Sequence, residues 1–155
     1  MVSLAKYLSN KLISISEKRD PDFEIERDNE GTYLRRWYVI PRNKFFNVYL
    51  HRFLLSDHDK ALHDHPWVSC SVLLEGSYLE HTPEQIHYRP QGTICFRKPS
   101  SAHRVELIKG KPVWTLFLTG PRVRKWGFLC PKGWKPWDEY CDPKNPGKVL
   151  KGCDG

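Results

Sequence analysis

Two histidines, His63 and His65, stand two residues apart in the stretch HDHPW, directly ahead of the apolar run WVSCSVLL. On an extended chain alternate side chains share a face, so a His-x-His pair turns both imidazoles to one side. Two rings so placed fill two neighbouring positions around a metal ion and need a third ligand from another strand. The stretch PQGTICFRKPSSAHRV, residues 90–105, offers His103 after a strand that Gly92 opens and Pro99 closes. Neutral imidazoles suit Fe(II), Zn(II), Ni(II) or Cu(II), and three protein ligands leave positions open for water, substrate or dioxygen. The alternative is a metal-free site in which the three rings hydrogen-bond to one another and to Asp64 at the mouth of a cup. His51 lies on an expected strand and is a reserve ligand. His58, in the polar loop SDHDKALHDH, is expected in solvent, and His81 and His87 flank a turn and are expected at the surface.

These side chains need strands to hold them. Residues 3–18 read as the one clear helix, with Leu4, Tyr7, Leu8, Leu12 and Ile15 at steps of three and four, Ser3 as N-cap and Asp20-Pro21 as the stop. Such a helix packs on the outside of a sheet. From residue 32 the pattern turns to β: strands are expected over 32–40, 45–54, 67–74, 77–81, 85–89, 93–97, 103–108 and 113–119, with turns at Glu75-Gly76, at PQG (90–92), at Pro99 and at Gly110. Short strands at intervals of about ten residues build a sandwich or barrel, not a parallel α/β sheet. The tail, 120–155, interleaves Pro121, Pro131, Pro136, Pro143 and Pro146 with Trp126, Phe128, Trp134, Trp137 and Tyr140. It reads as an irregular, aromatic-rich segment laid over the barrel, with its last ten residues mobile. The whole of 1–155 is expected to be one domain, with its barrel core over about 32–119.

The two histidine segments together resemble the cupin superfamily, whose first motif is a His-x-His pair, a Glu and a later Gly, and whose second is a Gly-led strand, a Pro turn and a third His. His63, His65 and Gly76 match the first; Gly92, Pro99 and His103 match the second, with the Pro-to-His spacing one residue short. The resemblance covers roughly residues 45–119. It implies an all-β, cupin-type double-stranded β-helix (a jelly-roll barrel), one divalent metal ion with Fe(II) first, a small-molecule substrate and a homodimer. The chain departs from the pattern at the Glu, where Ser69 and Cys70 stand. Three histidines with Cys in place of Glu are similar to the thiol dioxygenases, but the downstream region VWTLFLTG has neither the His nor the Tyr of that branch. Ser69 and Cys70 are then a fourth ligand or part of the site wall, with Cys70 most simply a wall residue. Arg36, Tyr49, Arg52, Trp67 and Tyr78, with Tyr38, are candidates to contact substrate; an Arg among them could hold a carboxylate or phosphate in a fork.

Composition bounds the rest. The chain has 155 residues and 13% aromatics, enough for one core. No apolar run reaches the roughly 20 residues of a membrane span. The N-terminal stretch spreads its apolar residues and lacks a small-residue cleavage site, so a cytoplasmic location is expected. Five cysteines without a CxxC fit free thiols in a reducing compartment. Cys130, Cys141 and Cys153 make a poor zinc set, since no His follows position 103. The net charge of +7 could draw nucleic acid, yet no helix-turn-helix, zinc-finger or RNA-recognition signature accompanies it. The expected function is a metal-dependent Fe(II) dioxygenase acting on a small polar molecule. The alternatives are a metal-free cupin, as a binding module or a sugar-nucleotide epimerase or isomerase with an inward His base and a Tyr acid, and a nucleic-acid-associated protein.

Overall fold

The computed structural model describes residues 4–57 and 61–154, so His58 and the expected N-cap Ser3 lie outside the described residues. Helix α1 spans Leu4–Ser16. It does not bury the expected face: Tyr7, Leu8 and Ile15 are at least half exposed, while Ile13 and Ser16 are buried. The sheet beneath decides this. Trp37 and Trp114 stack at 5.2 Å and, with Leu50 and Leu74, form the apolar cluster that receives Ile13. Past the helix, Asp22 accepts Tyr38 N at 2.7 Å and pairs with Arg19, which ties the turn to the sheet.

Ten strands build the body: β1 (Phe23–Arg27), β2 (Gly31–Tyr38), β3 (Asn47–Phe53), β4 (Leu62–His63), β5 (Ser69–Glu75), β6 (Tyr78–His81), β7 (Ile86–Arg89), β8 (Ile94–Arg97), β9 (Arg104–Leu107) and β10 (Val113–Thr119). One sheet runs β1-β2-β3-β10-β5-β8; a smaller one runs β7-β6-β9 and faces it. All their pairings are antiparallel. Leu73, Tyr78, Val105, Leu107 and Val113 join the two sheets in an inner apolar cluster. Alternation along each strand separates this interior from the helix side. On β3, Tyr49, His51 and Phe53 face inward with successive ring contacts, whereas Leu50 faces α1. Gly76 turns β5 into β6 with φ +85°, and a Cβ there would lie 3.0 Å from Pro112 O, so both the turn and the close approach select glycine.

Strand β1 was not among the expected strands. Its FEIER sequence is too charged to stand out, and it forms by pairing with β2, where Arg35 meets Glu24 at 2.7 Å. The tail also differs from expectation. It contains β11 (Gly127–Cys130), β12 (Gly133–Pro136), the single-turn helix α2 (Trp137–Tyr140), β13 (Cys141–Asp142) and β14 (Asn145–Val149). β12-β11-β4 form a sheet, and β13 pairs with β14. Gly147 lies so close to β1 that a Cβ would stand 2.1 Å from Glu26 O. The last residues are not a loose end: Cys153 is bonded to Cys130, with the Cα atoms 5.4 Å apart. That disulfide corrects the expectation of five free thiols; Cys70, Cys95 and Cys141 are free. A spacing of 23 residues carries no pairing signal in the sequence. Tyr140, Cys130 and Cys141 form a small core of their own with Phe128 and Val149. No helix among the described residues is long and apolar enough to cross a membrane.

Candidate metal centre

The backbone brings the histidines together first. His63 N donates to His103 O and His103 N to His63 O, each at 2.9 Å, while His63 also pairs with Phe128 of β11. Beyond β4, Asp64 N donates to Gly127 O and His65 N to Pro99 O. Alternation then sends His63 and His65 into the interior beside His103 and turns Asp64 away from them. Ring centroids are 5.1 Å apart for His63–His65, 4.9 Å for His63–His103 and 5.2 Å for His65–His103. The Nε2 atoms of His65 and His103 are 3.0 Å apart, and one nitrogen from each ring lies within 4.8 Å of the others. Two nitrogens bound to one ion at about 2.1 Å and at about 90° would be about 3 Å apart, so the His65–His103 spacing suits neighbouring ligands.

Carboxylates stand behind two of the rings. His103 Nδ1 is 2.9 Å from Glu80 Oε1, which also accepts from Arg97 Nε at 2.8 Å, and Arg89 Nε donates to the other oxygen at 2.8 Å. Arg97 further donates to Ser71 Oγ at 2.9 Å. Burial works to raise the pKa of Glu80, but the His103 hydrogen bond and the Arg97 charge outweigh it and hold the carboxyl well below its usual range. Asp57 Oδ2 lies 3.7 Å from His63 Nδ1; Asp57 also accepts Val105 N at 2.6 Å and the Tyr33 hydroxyl. Burial, with the neighbouring His charges, holds His65 well below the ordinary imidazole pKa. Burial likewise takes His103 down to about 4, against the pull of Glu80. His65 and His103 are therefore neutral near pH 7 and present lone pairs. The donor set fits a divalent transition metal.

The three His open on a cavity of about 370 Å³ between the sheets, within the range of small-molecule sites. Its wall is mostly apolar, with Phe53, Trp67, Phe117, Trp126 and Phe128 prominent, and residues 146 and 147 of the tail close part of it. Of the expected substrate contacts, Arg36, Trp67 and Tyr78 line the cavity together with His51. Tyr49 stands behind His51, its ring stacked at 5.8 Å. Arg52 is on the other face: its guanidinium lies 5.2 Å over Trp114 and 4.0 Å from Glu17, beside the helix. Strand parity also corrects Cys70, which shares the outer side of β5 with Val72 while Ser71 lines the cavity. Burial raises the Cys70 thiol pKa, which disfavours the thiolate a ligand needs. Ser69 is buried, and Cys70 does not gather with the three histidines. His51 is not in that group either; its Nε2 accepts from Arg36 Nε at 2.8 Å. His81, expected at the surface, is half-buried between Glu106 at 2.8 Å and Arg104 at 2.9 Å.

Asp64 corrects another expectation. It does not hydrogen-bond the histidines but holds the tail: Oδ1 accepts Gly127 N at 2.8 Å, and Oδ2 accepts Trp134 Nε1 at 2.9 Å and the Arg124 guanidinium. Sequence reasoning missed Asp57, Glu80 and Arg97. Glu80 alternates with Tyr78 on one face of the expected strand 77–81, and this parity was the one available signal.

No family model matches the sequence, and no curated protein matches it. Solved structures do resemble the fold. A cupin 2 conserved barrel domain protein from Rhodopseudomonas palustris superposes with a TM-score of 0.58 at 14% identity, over 72% of this chain and 78% of that one. A cupin-2 domain from Rhodospirillum rubrum gives 0.55 at 11%, over 65% and 68%. A double-stranded β-helix domain protein from Klebsiella pneumoniae gives 0.51 at 16%, over 67% and 89%. Two facing antiparallel sheets, a histidine triad at their inner face and these superpositions identify the chain as a protein of the cupin fold.

Proposed function

We propose that His63, His65 and His103 hold one divalent ion, natively Fe(II), and that the chain is an oxygenase acting on a small molecule bound in the adjoining cavity. The observation that carries this reading is the buried carboxylate behind His103: a ligating imidazole donates its other N–H to such a group, which fixes its tautomer and raises its basicity. Glu80 takes that place at 2.9 Å, and Arg97 and Arg89 lock Glu80. When bound, the ion would supply a redox-active Lewis-acid centre with open positions. The chain's own part is orientation and exclusion of water. Trp67 lies nearly parallel to His65 at 6.4 Å and Phe117 tilts against it at 5.9 Å, so the ring is walled by apolar surface.

Two further fold neighbours are a candidate mannose-6-phosphate isomerase from Ralstonia eutropha, with a TM-score of 0.52, and a DMSP lyase from Ruegeria pomeroyi, with 0.50. They are enzymes of other classes, so the choice of reaction rests on the site. A metal-free epimerase needs a free imidazole base beside a Tyr; His51 is near Tyr49, but its Nε2 already accepts from Arg36. The test is anaerobic reconstitution of chelator-treated protein with Fe(II), followed by elemental analysis. About one ion per chain is expected, with affinity lowered at least about 100-fold in His65→Ala and His103→Ala. Wild-type protein that keeps no metal would overturn the reading. Substrate-dependent oxygen uptake by the loaded protein tests the oxygenase assignment separately.

A further inference from the structure

Three arginines line the cavity: Arg27, Arg36 and Arg97. Two are neutralised. Arg97 is paired with Glu80 and bonded to Ser71, and Arg27 donates to Ser56 O at 2.8 Å and reaches Glu30 at 3.6 Å. Arg36 is different. Its Nε donates to His51 Nε2, and among the described residues no carboxylate lies within ion-pair distance of its guanidinium. The titratable groups near it are the neutral hydroxyls of Tyr49, Tyr38 and Tyr33 and another cation, Arg42.

The surroundings of Arg36 are aromatic. Its guanidinium lies 4.8 Å from the Tyr49 centroid and 5.6 Å from that of Phe23. Burial lowers its pKa from the ordinary value, the direction expected of a desolvated charge. His51, kept neutral by burial and by the Arg36 charge, occupies the Nε hydrogen. That leaves the two terminal nitrogens, the edge that matches a carboxylate in a fork. Arg36 and His51 are cross-strand partners on β2 and β3. The His51 ring stacks on Phe117 at 5.2 Å, and Phe117 lies 5.9 Å from His65. Two rings, those of His51 and Phe117, thus link the cation to His65 along one inner face.

We infer that Arg36 anchors the carboxylate of the molecule that fills the cavity, so that the substrates are small carboxylic acids with an apolar or aromatic body. This deepens the functional reading above, since it assigns a substrate class to the same cavity, but it does not depend on the ion. The apolar body lies against Phe53, Phe117 and Trp67, while the acid group reaches Arg36. The expected small polar molecule is thereby replaced by an amphipathic anion.

The test compares phenylacetate with its neutral isostere phenylacetamide. Binding is read by quenching of Trp fluorescence in chelator-treated protein, so that no ion can attract the carboxylate. The acid should bind at least about tenfold more tightly than the amide. Arg36→Gln should remove that preference, weakening the acid far more than the amide. Equal binding of acid and amide by the wild type overturns the inference, as does a preference that survives in Arg36→Gln. Inorganic phosphate competing as strongly as phenylacetate overturns the apolar-body part. Should Arg36→Gln fail to fold, Arg36→Lys decides: loss of the fork should weaken the acid several-fold and the amide less, and unchanged acid binding overturns the anchor. A parallel Co(II) titration separates the two readings. Arg36-dependent acid binding without Co(II) binding sinks the metal centre and keeps the anchor; Co(II) binding without acid preference does the reverse.

Discussion

At the residue scale, the first three letters of HDHPW have two different tasks. His63 and His65 turn to the cavity, and Asp64 between them turns to the tail. The histidines were legible because residue type and two-residue spacing state their own geometry. Glu80 and Asp57 were not, because a carboxylate on a strand or in a loop has no local mark that separates a buried partner from a solvated one; pairing β6 with β9 is what sets Glu80 behind His103. Ser69 and Cys70 looked like the site of a missing ligand, and strand parity alone moved Cys70 to the outside. Glu80→Gln should lower metal affinity about 10- to 100-fold while the circular dichroism spectrum is retained, measured by competition with a chromophoric chelator. Unchanged affinity would mean that Glu80 serves only to neutralise Arg97.

At the element scale, the strands over 45–119 were legible because apolar and polar residues alternate and turn residues punctuate them. β1 and the tail strands were not, since each is short and exists by pairing with a remote segment: β11 with the two-residue β4, and β14 beside β1 through Gly147. The disulfide was invisible for the same reason. It closes a loop of 23 residues, for which chain entropy gives about 3 kcal/mol. Cys153→Ser should therefore lower the melting temperature of oxidised protein and expose residues after Asp142 to proteolysis, while reduced wild type and the variant melt alike. Asp64→Ala removes the acceptor of two N–H donors and of Arg124 from a buried position. A loss of about 2–4 kcal/mol is expected, read by chemical denaturation; a loss below about 1 kcal/mol would show that β11 and β12 hold without it.

At the scale of the whole molecule, the +7 charge set an expectation about partners, yet the cation we infer to hold the substrate is one half-buried arginine of the cavity wall, Arg36. The interior also makes stability depend on pH. His51, His65 and His103 have folded-state pKa values held down by burial, His103 to about 4. Near pH 6.5 the unfolded chain takes up protons that the folded chain refuses, so the stability these groups contribute is complete above about 6.5 and is lost toward about 4. Each such proton changes stability by about 1.4 kcal/mol per pH unit. Metal-free protein should accordingly melt at lower temperature at pH 5.0 than at pH 7.5, and His51→Gln, which keeps a neutral acceptor for Arg36, should show a shallower dependence. A flat profile in the wild type would contradict the neutral, buried state of these rings. The hold of Asp64 on the tail has one more consequence. The tail's anchor and two of the proposed ligands meet in three consecutive residues, so whatever draws β11 and β12 tighter should also narrow the freedom of His63 and His65. Thermodynamic linkage makes such coupling reciprocal: a cargo that steadied the tail would tighten the grip on the proposed ion by the same factor by which that ion would tighten the grip on the cargo.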